Sequence, residues 1–129
     1  MLRNFIFLVA LLLMATSPVI AGESETDTEI RFLLARVSDS GYVFMRNGKD
    51  HSAEDAADHM RRKYKHFEDE IETPEQFVEF AATKSMMTGR RYRIRFSDGT
   101  EMDTADWLLD ELAAFRSEEP SPRLAEETP

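Results

Sequence analysis

Cysteine is absent from this 129-residue chain. No disulfide can staple it and no thiolate can hold a structural metal, so its stability has to come from an ordinary apolar core. Positive charge is scarce as well: 16 lysines and arginines face 25 aspartates and glutamates, a net charge of -9. That balance works against non-specific attachment to nucleic acid or anionic lipid. No apolar run reaches the length of about 20 residues that spans a bilayer; Phe5 to Ala15 ends at Thr16-Ser17-Pro18. A Gly-x-Ser-x-Gly elbow and a phosphate-cradling glycine loop are both missing, and no stretch repeats.

What the first residues do contain is one early cation at Arg3, that apolar run, and a small-residue end at Val19-Ile20-Ala21. This is the layout of a secretory signal peptide, cut after Ala21. A lipid anchor would require a cysteine after the cut, and Gly22 stands there. Residues 1–21 are therefore expected to be removed, leaving a periplasmic or secreted protein with no stable membrane anchor. Roughly 108 residues would remain, which suits one domain. Of these, 22–27 read as a flexible acidic lead, 28–116 as the folded domain, and 117–129 as a disordered tail of acid and proline.

Ile30, Leu33, Leu34 and Val37 recur at helical spacing. They predict a helix from about Thr28 to Ser38, capped by Asp27 or Thr28 and stopped at Gly41. Tyr42 to Met45 predicts a short strand entering a tight turn at Asn47-Gly48. Ser52 begins a second helix, with Asp55 placed for a capping box. Its stripe of Ala53, Ala56, Ala57, Met60, Tyr64, Phe67 and Ile71 is the strongest periodic signal in the chain. Thr73-Pro74-Glu75-Gln76 starts a third helix that runs down near Lys84.

Arg90 to Phe96 alternates, so Tyr92, Ile94 and Phe96 share one face of a strand and Arg91, Arg93 and Arg95 the other. After a turn at Ser97 to Thr100, Asp103 or Thr104 caps a last helix built on Ala105, Leu108, Leu112 and Phe115. The expected fold is a small single α+β domain in the order α-β-α-α-β-α. A two-stranded antiparallel ribbon packs on helices, its Tyr92-Ile94-Phe96 face covering Met60, Tyr64 and Phe67. The sequence also admits a short strand around Glu101-Met102.

Val43 to Gly48, His51, Ala56, His59, Met60 and Lys63 form a pattern that continues through Gln76-Phe77, Ser85, Thr88-Gly89, Tyr92, Ile94 and Trp107-Leu108. The pattern resembles the YfeK-like family of small exported bacterial proteins, and the likeness covers roughly Thr28 to Phe115. It implies export and one small domain. The family is a domain of unknown function, so the resemblance brings no catalytic residue, substrate or cofactor.

On a helical wheel His59, Lys63 and His66 share one flank of the second helix, with Asp55 one turn before His59. Two site hypotheses follow. His51, Asp55 and His59 offer two imidazoles and a carboxylate, an open divalent-metal ligand set; against this, Asp55 is also placed to cap the helix. Arg46, Asn47, Lys49, His51 and His59, with Ser85, Thr88 and Arg91 from the second strand's approach, could instead bind an anionic or polar ligand or a protein partner. The plainer account is that Asn47-Gly48 and Thr88-Gly89 make turns and the cations solvate an exposed face. Ser85 as a nucleophile is the least supported reading. The arginine face of Arg91, Arg93 and Arg95 points to an acidic partner or the acidic tail rather than nucleic acid. The expectation is a binding or interaction module without catalysis or cofactor; the competing class is a small metal- or anion-dependent enzyme at His51, Asp55 and His59.

Overall fold

A computed structural model describes residues 23–118. The apolar run at Phe5–Ala15 and the tail beyond Glu118 lie outside the described residues. Eight elements follow in order: α1 Glu25–Asp39, β1 Val43–Arg46, β2 Lys49–His51, α2 Ala53–His66, α3 Pro74–Ala82, β3 Arg93–Arg95, β4 Glu101–Asp103 and α4 Thr104–Glu118. The fold is therefore mixed helix and strand in one small domain, as expected, but the two-stranded ribbon is corrected to a four-stranded antiparallel sheet of order β2-β1-β3-β4. The two added strands are its edges: β4 falls where the sequence admitted a short strand around Glu101-Met102, and β2 was not expected.

The hairpin shows why. Asn47 and Gly48 both take positive φ, 52° and 76°, which is what a two-residue turn between twisted strands requires. Arg46 then sits opposite Lys49, and Lys49-Asp50-His51 continues as β2 instead of leading straight into the helix. Three polar residues carry no β signature, yet charged side chains are what protect an edge strand from pairing with another chain. β4, Glu101-Met102-Asp103, is built the same way and pairs Ile94 with Met102.

Helix ends follow local chemistry. Ser24 caps α1 by accepting from Asp27 N–H, so the helix begins within the segment expected to be a flexible lead. Ser52 caps α2 through Asp55 N–H at 3.1 Å. Thr73, Pro74 and Gln76 form the expected capping box of α3. α2 stops at His66 rather than running on to Ile71. Glu68, Asp69 and Glu70 follow, and acids oppose the negative end of a helix dipole. α4 continues through Ser117 and Glu118, two residues into the segment expected to be tail.

The helices cover one face of the sheet. Leu33, Val37, Ala57, Phe77, Ala81, Ile94 and Leu108 are fully enclosed, and Phe44 and Trp107 meet edge to face at 6.2 Å. Tyr92 and Ile94 are buried and Phe96 half-buried on this side, as the alternation predicted. Of the expected cover Met60 does line a chamber with Tyr92, but the rest differs. Tyr42 lies against Phe96 and Trp107, so α4 meets this end of the sheet. Tyr64 and Phe67 instead pack on Phe77 and Phe80 of α3. A three-helix clamp closes the far end: Glu29 of α1, almost wholly buried, accepts from Arg116 of α4 at 2.5 Å, and Arg116 also reaches Glu75 of α3 at 2.5 Å.

Candidate functional site

Alternation along β1 sends Phe44 and Arg46 to the helix side and Met45 to the open side. Arg46 lies beyond the apolar core, where β1, the outer flank of α2 and the loop before β3 leave an open cleft of about 330 Å³. Its lining is Arg46, Asn47, His59, Lys63, Ser85, Met86, Met87 and Tyr92.

Tyr92 is the hub. Lys63 Nζ donates to the Tyr92 hydroxyl at 3.2 Å and to the Lys84 carbonyl at 3.1 Å. His59 Nε2 lies 3.3 Å from the same hydroxyl. An ammonium can only donate, so the hydroxyl accepts from Lys63 and keeps its own proton for a neutral imidazole whose Nε2 carries none; with the other tautomer His59 is the donor. The electrostatics agree. Burial lowers the His59 pKa from 6.5 to about 4, helped by the positive charges of Arg46, Lys63 and Arg62. Burial, and then Arg46, lowers Lys63, while burial raises Tyr92 against the pull of Arg46. Among the described residues no carboxylate lies within 4 Å of Arg46 or Lys63.

The cleft's second wall is a loop fixed by one buried hydroxyl. Ser85 is 5% exposed. Its Oγ accepts from Met87 N–H, Thr88 N–H and Asn47 Nδ2 at 3.2–3.3 Å. Thr88 Oγ1 donates back to Asn47 Oδ1 at 2.6 Å, tying the loop to the hairpin turn. Three donors thus hold the Ser85 hydroxyl, while His59 is turned to Tyr92. Below the cleft, the fully buried Thr104 hydroxyl has no partner among the described residues and lines a chamber of about 10 Å³.

Of the residues singled out in sequence, Arg46, Asn47, His59 and Ser85 meet in this cleft, and Thr88 braces it. Lys49 and His51 stand on neighbouring β2, His51 near enough to add to the charge felt by His59. Arg91 does not join them. It lies on the other side of the sheet, where Asp103 accepts from Arg91 and Arg93 at 2.8 and 2.7 Å and Arg95 meets Asp50 and Glu101. Nor does His66, which stacks edge-on against Phe67. His51, Asp55 and His59 do not form a ligand triad: among the described residues no three His, Asp or Glu side chains have metal-holding spacing. Lys63, set on the His59 flank by the helical wheel, was not counted among the site residues, and Tyr92, Met86 and Met87 were missed. Lys63 follows His59 by one helical turn, which was the available signal; Tyr92 was assigned to the core, and only its hydroxyl reaches out.

Among the described residues no helix is long and apolar enough to cross a membrane. No solved structure matches the chain. The uncharacterized protein YfeK of Salmonella typhimurium is 40% identical over 50 residues, which cover 39% of this chain and 42% of that protein. The model of a family of unknown function, DUF5329, matches residues 24–116, the whole of the domain from the cap of α1 to the clamp at Arg116. With that span and the likeness to YfeK that the sequence pattern had implied, the chain belongs to the DUF5329 family of unknown function.

Proposed function

We propose that the protein is an exported binding module, without catalysis, whose cleft between β1, α2 and the Lys84–Arg90 loop holds an anionic group. One observation carries the reading. In a chain where acids outnumber bases 25 to 16, Arg46 and Lys63 line the same cleft with no carboxylate beside either among the described residues. Like charges held together raise each other's energy, and an anion between them relieves both. The Asn47 amide and the Tyr92 hydroxyl supply neutral hydrogen-bonding groups at the same place. Support for export comes from Arg3, the apolar run and Ala21.

The test is a titration of the mature protein with inorganic phosphate and with acetate, followed on the His59 imidazole by NMR. Burial is the main cause of the low His59 pKa and the nearby cations add to it; an anion in the cleft offsets the cations, so the pKa should climb from about 4. Arg46→Gln and Lys63→Gln should each weaken binding by about tenfold or more, as loss of a charge-assisted contact implies. Saturating anion that leaves His59 unmoved would end the proposal. For export, the mass of protein recovered from the periplasm should correspond to a chain starting at Gly22; full-length protein retained in the cytoplasm would contradict it.

A further inference from the structure

One wall of the cleft is not accounted for by charge. Met86 and Met87 are 68% and 94% exposed, and they stand together at its rim. Their backbone is not loose. Ser85 N–H donates to the Arg90 carbonyl and Gly89 N–H to the Ser85 carbonyl, both at 2.9 Å, while Ser85 Oγ holds the intervening turn. The chain thus fixes a short loop and displays two adjacent thioether side chains to water. Methionine is unbranched and adaptable, and suits apolar groups of variable shape.

Resting on the anion-binding reading, we infer that the cleft takes a small amphiphile: a carboxylate or phosphate headgroup against Arg46 and Lys63, with an unbranched hydrocarbon chain laid across Met86 and Met87. The juxtaposition favours this over a macromolecular partner. A concavity of about 330 Å³ is of small-ligand size, whereas a protein interface needs an apolar area far larger than two side chains. The net charge of -9 repels an anionic bilayer surface but not a single anion that enters between two cations.

The experiment compares two series on the mature full-length protein by calorimetry, with Met methyl groups labelled for NMR: alkyl carboxylates from acetate to octanoate, and alkyl phosphates from inorganic phosphate to octyl phosphate, all below micellar concentration. Full burial of one methylene gives about fourfold in affinity, so an open wall should give about twofold per methylene. The Met86 and Met87 methyl signals should shift with the longer members. In the double variant Met86→Gln, Met87→Gln, octyl phosphate should bind no better than inorganic phosphate. The headgroup series with the higher affinity at equal chain length identifies the headgroup. Phosphate binding that is indifferent to chain length overturns the amphiphile and leaves the anion site standing; silence of both series, short members included, overturns both. Co-sedimentation with phosphatidylglycerol vesicles, lost in the double variant, would overturn it in favour of a bilayer surface.

Discussion

The domain has two basic surfaces, and they differ in what stands opposite the cations. On the open face of the sheet Arg91, Arg93 and Arg95 are each met by a carboxylate: Asp103 takes the first two, Asp50 and Glu101 the third. Those acids come from β2 and β4, the two edge strands. In the cleft on the helix side, Arg46 and Lys63 have a phenol, an imidazole, a carbonyl and an amide for neighbours, and no acid among the described residues. Equal charge is thus treated in two ways. On the open face it crosslinks strands; in the cleft it stands without an acid among the described residues, the arrangement that the proposed anion would answer.

This contrast can be attacked at several points. The largest expected effect is at the cleft's support. Ser85→Ala removes the acceptor of three hydrogen bonds and should cost about 1–3 kcal/mol of stability. It should also weaken phosphate binding, with the open face unchanged in NMR shifts; a wild-type melting curve would show that the loop is held otherwise. Next is Asp103→Ala, which frees Arg91 and Arg93 together. Their half-exposed pairing limits the loss to about 1 kcal/mol. The informative outcome is a gain: the open face should begin to bind phosphate weakly and in a salt-sensitive way. If it does not, an unpaired arginine is no mark of an anion site.

A smaller effect sits in the pH dependence. The folded state holds His59 near 4, below the 6.5 of the unfolded chain, through burial and through Arg46, Lys63, Arg62 and His51 around it. Between these values the unfolded chain takes up a proton that the folded one refuses, so acidification from about pH 6.5 to 4 should lower stability, with no further loss from this group below that. His59→Gln should remove that part of the slope in denaturant titrations at stepped pH. Smallest of all should be the stability change in Arg46→Gln, within about 0.5 kcal/mol of wild type, while its His59 pKa rises. A marked fall in melting temperature would make Arg46 a structural cation like Arg93 and dissolve the distinction.

Much of the helical layer was legible in the residues because its signals are local. Thr73-Pro74-Gln76 is a complete start signal, and Tyr92, Ile94 and Phe96 alternate as a half-buried strand must. The edge strands were less so: Glu101-Met102 was admitted as a short strand, but Lys49-Asp50-His51 was not seen, because it owes its conformation to a partner across the sheet rather than to propensity. The cleft was half legible for the same reason. Arg46, Asn47, His59 and Ser85 drew notice by type and by turn chemistry, but only the β1–β3 pairing carries Tyr92 to His59. Arg91 was grouped with the cleft by its nearness to Thr88, although the strand alternation had set it with Arg93 and Arg95 on the face opposite Tyr92, where the sheet holds it.

The Glu29–Arg116 contact has a consequence of another kind. It joins the second turn of α1 to the closing turn of α4, so one side-chain pair ties the first helix of residues 23–118 to the last. If the chain is given new ends at the Asp98-Gly99 turn and its old ones are joined by a linker, that tie stays within one continuous segment and the cleft keeps every residue that lines it.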